Sequence, residues 1–324
     1  MSELHKFLFE GLPVRGMIVR LTDAWTEILR RRADSATGAY PQPVQNLLGE
    51  MAAAGVLMQS NIKFNGALIL QVFGDGPVKL AVAEIQSDLR LRATVSLKGE
   101  VPPDAGLSAM LNVHGQGRCA ITLDPQDRQP GQQPYQGVVP LSDAANQKLH
   151  TVSEALQHYM RQSEQLETVL VLAADDKVAA GLLIQRLPVQ GMGNLAGQAE
   201  VHEAEMYEHY NRIATLASSL QREELLTLDV ETILRRLFWE EKLQRFEPQL
   251  GETAPRFACT CSRERVGRMI QGLGEVEAKD ILAERGVIMV DCEFCGAQYR
   301  FDAIDATQLF TTAGQQPPSS DAIQ

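Results

Sequence analysis

Long apolar runs are missing from this sequence. No stretch approaches the ~20 consecutive apolar residues that a membrane helix needs, so no membrane partner is expected. The N-terminus, MSELHKFLFEGLPVRG, lacks an apolar core and a small-residue cleavage site, so no secretory signal is expected. Positive charge is scarce: 30 Lys and Arg stand against 41 Asp and Glu, for a net charge of -11. That balance argues against nucleic acid as a partner, because such binding draws on clustered cations. No G-x-x-x-x-G-K-[ST] pattern occurs, which removes the usual ATP-binding loop. Histidine ends at His209, and there are only five cysteines. A cytoplasmic, reducing location is expected, where paired cysteines read as metal or redox sites before structural disulfides.

The composition, 44% hydrophobic and 22% charged, is that of a folded protein. The expected class is α+β: an N-terminal mixed α/β core with a largely antiparallel sheet, a helical linker and a small C-terminal four-cysteine module. The boundaries read as 1–187 for the core, 188–255 for the linker, 256–305 for the module and 306–324 for a disordered polar tail. Within the core, Met17 to Val19 suggests a strand and Trp25 to Leu29 a helix. Pro41 and Pro43 suit the start of a second helix through Gly55. Ile62 and Phe64 lead into Asn65-Gly66, read as a hairpin turn. Further strands are expected at 68–72, 80–82, 93–95, 120–123, 136–139, 168–172 and 181–187, with a helix over 144–160. The glycines between Pro188 and Gly197 mark a connection. Beyond it, Met206, Tyr210, Ile213, Ala217 and Leu220 form one helical stripe. Val230, Ile233, Leu234, Leu237 and Phe238 form another, which Asp229 is placed to cap. Met192 and Met206 are candidates for oxidation or for adaptable contacts, with core packing as the plainer role.

Four of the five cysteines fall into two pairs, Cys259-x-Cys261 and Cys292-x-x-Cys295, the second followed by Gly296. Two such pairs separated by a helical stretch can build a tetrahedral metal site. Without a nearby histidine, four thiolates around one zinc are the economical choice. Asp291 and Glu293 are the alternative donors, but zinc prefers sulfur. The plain reading is a structural zinc fold. The C-x-C spacing favours reactivity, because a disulfide within it closes a small, easily reduced ring. Arg256, Arg263, Arg265 and Arg268 flank that pair. They either offset thiolate charge or form a solvated basic face. Cys119 lies in an apolar strand and reads as a buried thiol.

Taken together, Cys259-Thr-Cys-Ser-Arg-Glu-Arg265, Cys292-Glu-Phe-Cys-Gly296, Tyr40-Pro-Gln-Pro-Val44, Gly74-Asp-Gly-Pro77, Tyr135-Gln-Gly-Val-Val139, Arg161-Gln-Ser-Glu-Gln-Leu166 and Glu223-Glu-Leu-Leu-Thr-Leu228 carry a resemblance. The sequence resembles the bacterial 33 kDa heat-shock protein family of redox-regulated holdase chaperones, over nearly the whole chain. The resemblance implies a reduced, inactive form with one zinc on Cys259, Cys261, Cys292 and Cys295. It implies that peroxide with mild unfolding, or hypochlorous acid, forms the disulfides Cys259–Cys261 and Cys292–Cys295. Zinc then leaves, the linker loosens and the protein becomes a homodimer that holds unfolding client proteins without ATP. It implies no catalytic residue and no enzyme activity.

Two other classes compete. A thiol-disulfide oxidoreductase can use a C-x-x-C pair, but no thioredoxin-like βαβ pattern follows it. A zinc-ribbon nucleic-acid binder conflicts with the acidic balance. A weaker hint of a thiol protease from His114 and Cys119 has no third partner in the sequence.

Overall fold

The computed structural model describes residues 1–127, 131, 133–188 and 196–311, with side chains from 204 onward in the last segment. Most of the connection expected between Pro188 and Gly197, with Met192, lies outside the described residues, as does 312–324.

Along the chain the elements are β1 (Glu3–Phe9), β2 (Val14–Leu21), α1 (Asp23–Ala33), α2 (Gln42–Gln59), β3 (Gly66–Phe73), β4 (Val78–Gln86), β5 (Arg90–Leu97), α3 (Leu107–Leu111), β6 (Arg118–Pro125) and β7 (Tyr135–Pro140). Then follow α4 (Val152–Ser163), β8 (Thr168–Ala174), β9 (Ala179–Arg186), α5 (Ala196–Ser218), α6 (Arg222–Thr227), α7 (Val230–Phe238), β10 (Leu243–Arg245) and β11 (Arg256–Phe257). The last are α8 (Arg263–Leu273), α9 (Glu275–Arg285), β12 (Ile288–Asp291), β13 (Gln298–Phe301) and α10 (Ala303–Phe310). The chain divides into two compact units, Met1–Ala258 and the part from Cys259 onward.

In the first unit, one sheet has the order β10-β1-β2-β9-β8 and the other β11-β5-β4-β3-β6-β7. Pairing is antiparallel except between β11 and β5. The α+β class with largely antiparallel sheets is therefore what the chain adopts. Helix α2 packs against strands of both sheets and is buried along most of its length. The strand period of two then divides β2. Met17, Val19 and Leu21 join the core around α2, while Ile18 faces the opposite side. On that side, Phe7, Phe9, Val14, Leu182 and Ile184 meet α5 and α7. Phe238 lies edge-on to Phe9 at 5.1 Å and tilted to Phe7 at 6.2 Å. Asp229 caps α7 by accepting the Thr232 N–H at 2.8 Å. Arg20, on the same face of β2 as Ile18, donates to the carbonyls of Leu225, Leu226 and Leu228 at 2.6, 3.0 and 2.8 Å. Those carbonyls end α6 and have no partner within the helix.

Several local expectations give way. Residues 61–65 are irregular, so Ile62 and Phe64 are not a strand and Asn65-Gly66 is not a hairpin. Gly66 instead opens β3 beside β6, where a Cβ would stand 2.2 Å from the Asp124 carbonyl. The helix expected from 144 begins at Val152. Asp143 accepts the N–H groups of Ala145 and Gln147, and this local turn displaces the first helical turns. The segment 188–255 is not purely helical, because β10 extends the first sheet beside β1. Arg256 and Phe257 belong to the first unit through β5, so the cysteine module does not start at 256. Helix α10 continues through Phe310 with Ala306 buried, so the tail does not start at 306. Asp302 caps α10 by accepting the N–H groups of Ile304 and Asp305.

Candidate metal centre

Local hydrogen bonds shape both cysteine loops. Cys259 and Cys261 precede α8, whose N-cap Ser262 accepts the Arg265 N–H at 3.2 Å. The Arg265 guanidinium reaches back to the Thr260 carbonyl at 2.8 Å, bracing the residue between the two thiols. Cys292 and Cys295 occupy the turn between β12 and β13. The Cys292 N–H donates to the Ala297 carbonyl at 2.9 Å, and the Gly296 N–H returns to the Cys292 carbonyl at 2.8 Å. Gly296 takes a φ of 71°, where a Cβ would be penalised.

The strand register and α8 bring the two loops together. All four Sγ atoms lie within 4.8 Å of one another, with Cys259 3.6 Å from Cys292 and Cys261 3.3 Å from Cys295. As free thiols, Cys292 and Cys295 oppose ionisation. The Cys259 sulfur, then burial, pushes the Cys292 thiol up, against the pull of the Cys295 and Phe294 N–H groups. Burial first pushes Cys295 up to about 11, opposed by the Ala297 N–H. A cation at the centre reverses this balance, because it replaces the protons and leaves the N–H groups aimed at thiolates. The four cysteines are thus positioned to hold a metal ion. Sulfur-only donors suit a soft or borderline divalent metal. Among the described residues, Asp291 and Glu293 are not in this group of donors.

The flanking arginines act mainly as braces. Arg263 pairs with Asp305 at 2.8 Å, donates to the Arg300 carbonyl at 2.8 Å and covers the Phe301 ring at 4.3 Å. It thereby ties α8 to β13 and α10. Arg256 pairs with Asp88 at 3.1 Å in the first unit. Arg268 helps hold the Glu264 carboxyl below its ordinary range, after hydrogen bonds from the backbone and Ser262.

The residue pattern alone did not single out Tyr299. Its hydroxyl donates to the Cys261 Sγ at 3.1 Å, a contact that raises the phenol above its ordinary range. The available signal was its alternation with Phe301 on β13. Cys119 is fully buried in β6, and burial pushes its thiol up to about 12, which suits an inert core residue.

The profile of the Hsp33 protein family matches residues 2–302. The chain belongs to the Hsp33 family. It is 43% identical to a 33 kDa chaperonin of Methylobacillus flagellatus over 312 residues, covering 96% of this chain and 95% of that protein. A 33 kDa chaperonin of Chromobacterium violaceum is also 43% identical, over 309 residues, covering 95% and 94%. The crystal structure of the Thermotoga maritima 33 kDa chaperonin has the same fold, with a TM-score of 0.70 at 21% identity, covering 95% of this chain and 97% of that one.

In this Hsp33-family chain, motif residues outside the cysteine pairs support the fold. The Tyr40 hydroxyl accepts the Val95 N–H at 2.8 Å and donates to its carbonyl at 3.1 Å. Asp75, in the turn between β3 and β4, accepts the N–H groups of His114 and Gln116. Among the described residues, no helix is long and apolar enough to cross a membrane.

Proposed function

We propose that this protein is an ATP-independent holdase chaperone switched on by oxidation. The observation that carries the proposal is the convergence of four thiols within 4.8 Å in a unit with a very small apolar core. In the reduced form Cys259, Cys261, Cys292 and Cys295 hold one zinc. A tetrahedral site with Zn–S near 2.3 Å has sulfurs about 3.8 Å apart, close to the 3.3 and 3.6 Å separations here. Zinc supplies folding energy to the module, because its ligands gather only when the chain is folded.

Oxidation by a hydroperoxide or by hypochlorous acid removes the donors. The resemblance to the family supports Cys259–Cys261 and Cys292–Cys295 as the final pairs. Loss of zinc destabilises the module, and α5 to α7 then leave the sheet. Undocking uncovers Phe7, Phe9, Ile18 and Ile184 together with the apolar stripes of α5 and α7. Contiguous apolar surface of that kind suits unfolding client proteins. The oxidised protein acts as a homodimer in the cytoplasm, with the 1–187 core as its dimerising part, and takes neither nucleic acid nor membrane as a partner.

The geometry disfavours an oxidoreductase. Cys292 and Cys295 lie in the turn between two antiparallel strands, and among the described residues no thioredoxin-like βαβ unit follows them. The test is light scattering of a heat-aggregating client with zinc-loaded reduced protein and with peroxide-treated protein. Suppression by the oxidised form alone is expected. Equal suppression by the reduced, zinc-loaded form would refute the switch.

A further inference from the structure

Tyr299 has two attachments. Its ring packs on the small core of the cysteine unit, and its position in β13 opposite Val290 fixes where that ring stands. Its hydroxyl then reaches the Cys261 sulfur at 3.1 Å. A phenol with an ordinary pKa near 10 is protonated at neutral pH, so beside a thiolate it donates. Four thiolates on a divalent cation leave excess negative charge on sulfur. A donated O–H draws part of that charge from one sulfur and weakens it as a nucleophile.

We propose that Tyr299 is a positioning residue for the metal centre, whose hydroxyl orients the Cys261 thiolate and shields it from oxidants. The part of this that concerns oxidation rests on the redox function proposed above. In that step a thiolate sulfur attacks the hydroperoxide oxygen, the O–O bond breaks, and a sulfenic acid and hydroxide (or alkoxide) form. A second thiolate displaces hydroxide from the sulfenic sulfur to give a disulfide. The two electrons lost by the sulfurs reduce the peroxide. Tyr299 acts on the first attack, by lowering the electron density that Cys261 offers.

The test uses full-length protein and Tyr299→Phe, which keeps the packed ring and removes the donor. Co²⁺ replaces zinc for the first readout. The sulfur-to-cobalt charge-transfer band of Tyr299→Phe should move to lower energy, because the unshielded sulfur is the better electron donor. Site-specific 3-fluorotyrosine, a stronger donor, should move the band to higher energy, and it keeps the test open if the phenylalanine variant does not fold. The second readout is zinc release by hydrogen peroxide, which should be about fivefold faster in Tyr299→Phe, the scale of one hydrogen bond. An unshifted band in both variants would overturn the proposal. A shifted band with no peroxide-driven zinc release, even from the wild type, would overturn the redox function and leave the positioning role supported.

Discussion

The two units are held together by different means. In Met1–Ala258, both faces of the first sheet are covered, and α2 is buried between strands of two sheets. Trp25, Phe7, Phe9, Leu48 and Met51 are among its fully buried side chains. Among the described residues from Cys259 onward, the apolar core cluster is Val266, Ile270, Ala278, Ile288, Phe301 and Ala306. Burial of apolar side chains is what stabilises the first unit. On the proposed function, the second draws its remaining stability from charged clasps such as Arg263–Asp305 and from a metal on its four thiols. Stability in that reading rests on chemistry that an oxidant can remove in one unit and on burial that it cannot touch in the other.

The sharpest break in this contrast is Cys292→Ser. Structural zinc contributes on the order of 10 kcal/mol in small modules, so losing one ligand should unfold the cysteine unit. Amide NMR should show the signals of 263–310 collapsing while β3, β4 and β9 keep theirs. A native spectrum without metal would show that the small core suffices.

Phe238→Ala attacks the burial side. Removing a ring packed against Phe7 and Phe9 should cost about 3–5 kcal/mol, read in denaturant unfolding of the first unit. It should also loosen α7 and give partial client protection without oxidant. Loss of stability without that protection would separate docking from function.

Arg20→Ala is smaller, about 2 kcal/mol for charged hydrogen bonds to the carbonyls that end α6. Hydrogen exchange should rise in α6 before it rises in β2. Faster exchange spread evenly over the sheet would mean that Arg20 stabilises the fold at large.

The smallest effect belongs to Glu50 on α2, whose side chain is 19% exposed. Burial raises its carboxyl from 4.5 to about 7, with Arg222 of α6 opposing at 3.8 Å. Between these values the folded chain holds a proton that the unfolded chain has lost, so stability falls as pH rises through the window. Glu50→Gln should therefore raise the melting temperature at pH 8 and leave it unchanged near pH 4.5. An equal gain at both pH values would assign the effect to packing.

The sequence made some of this architecture legible and hid other parts for physical reasons. The stripes of α5 and α7 and the Asp229 cap could be read because helix periodicity and capping are local. The four cysteines could be read because donor type and spacing carry the chemistry. Strand β1 escaped notice because Glu3, His5 and Lys6 break its apolar alternation. Strands β10 and β11 are too short to show a period and exist through partners far away in sequence. The Tyr299–Cys261 contact depends on hairpin register across the turn, which spacing alone does not specify.

In the proposed switch, losing the metal in one unit releases α5 to α7 from the sheet in the other. Hydrogen–deuterium exchange on zinc-loaded protein, before and after peroxide, tests it most directly when zinc release is followed in the same samples. Exchange should rise over 263–310 and over 204–238 as zinc leaves, while β2 and β9 stay protected. Complete zinc release and fast exchange over 263–310, with 204–238 unchanged, would contradict it.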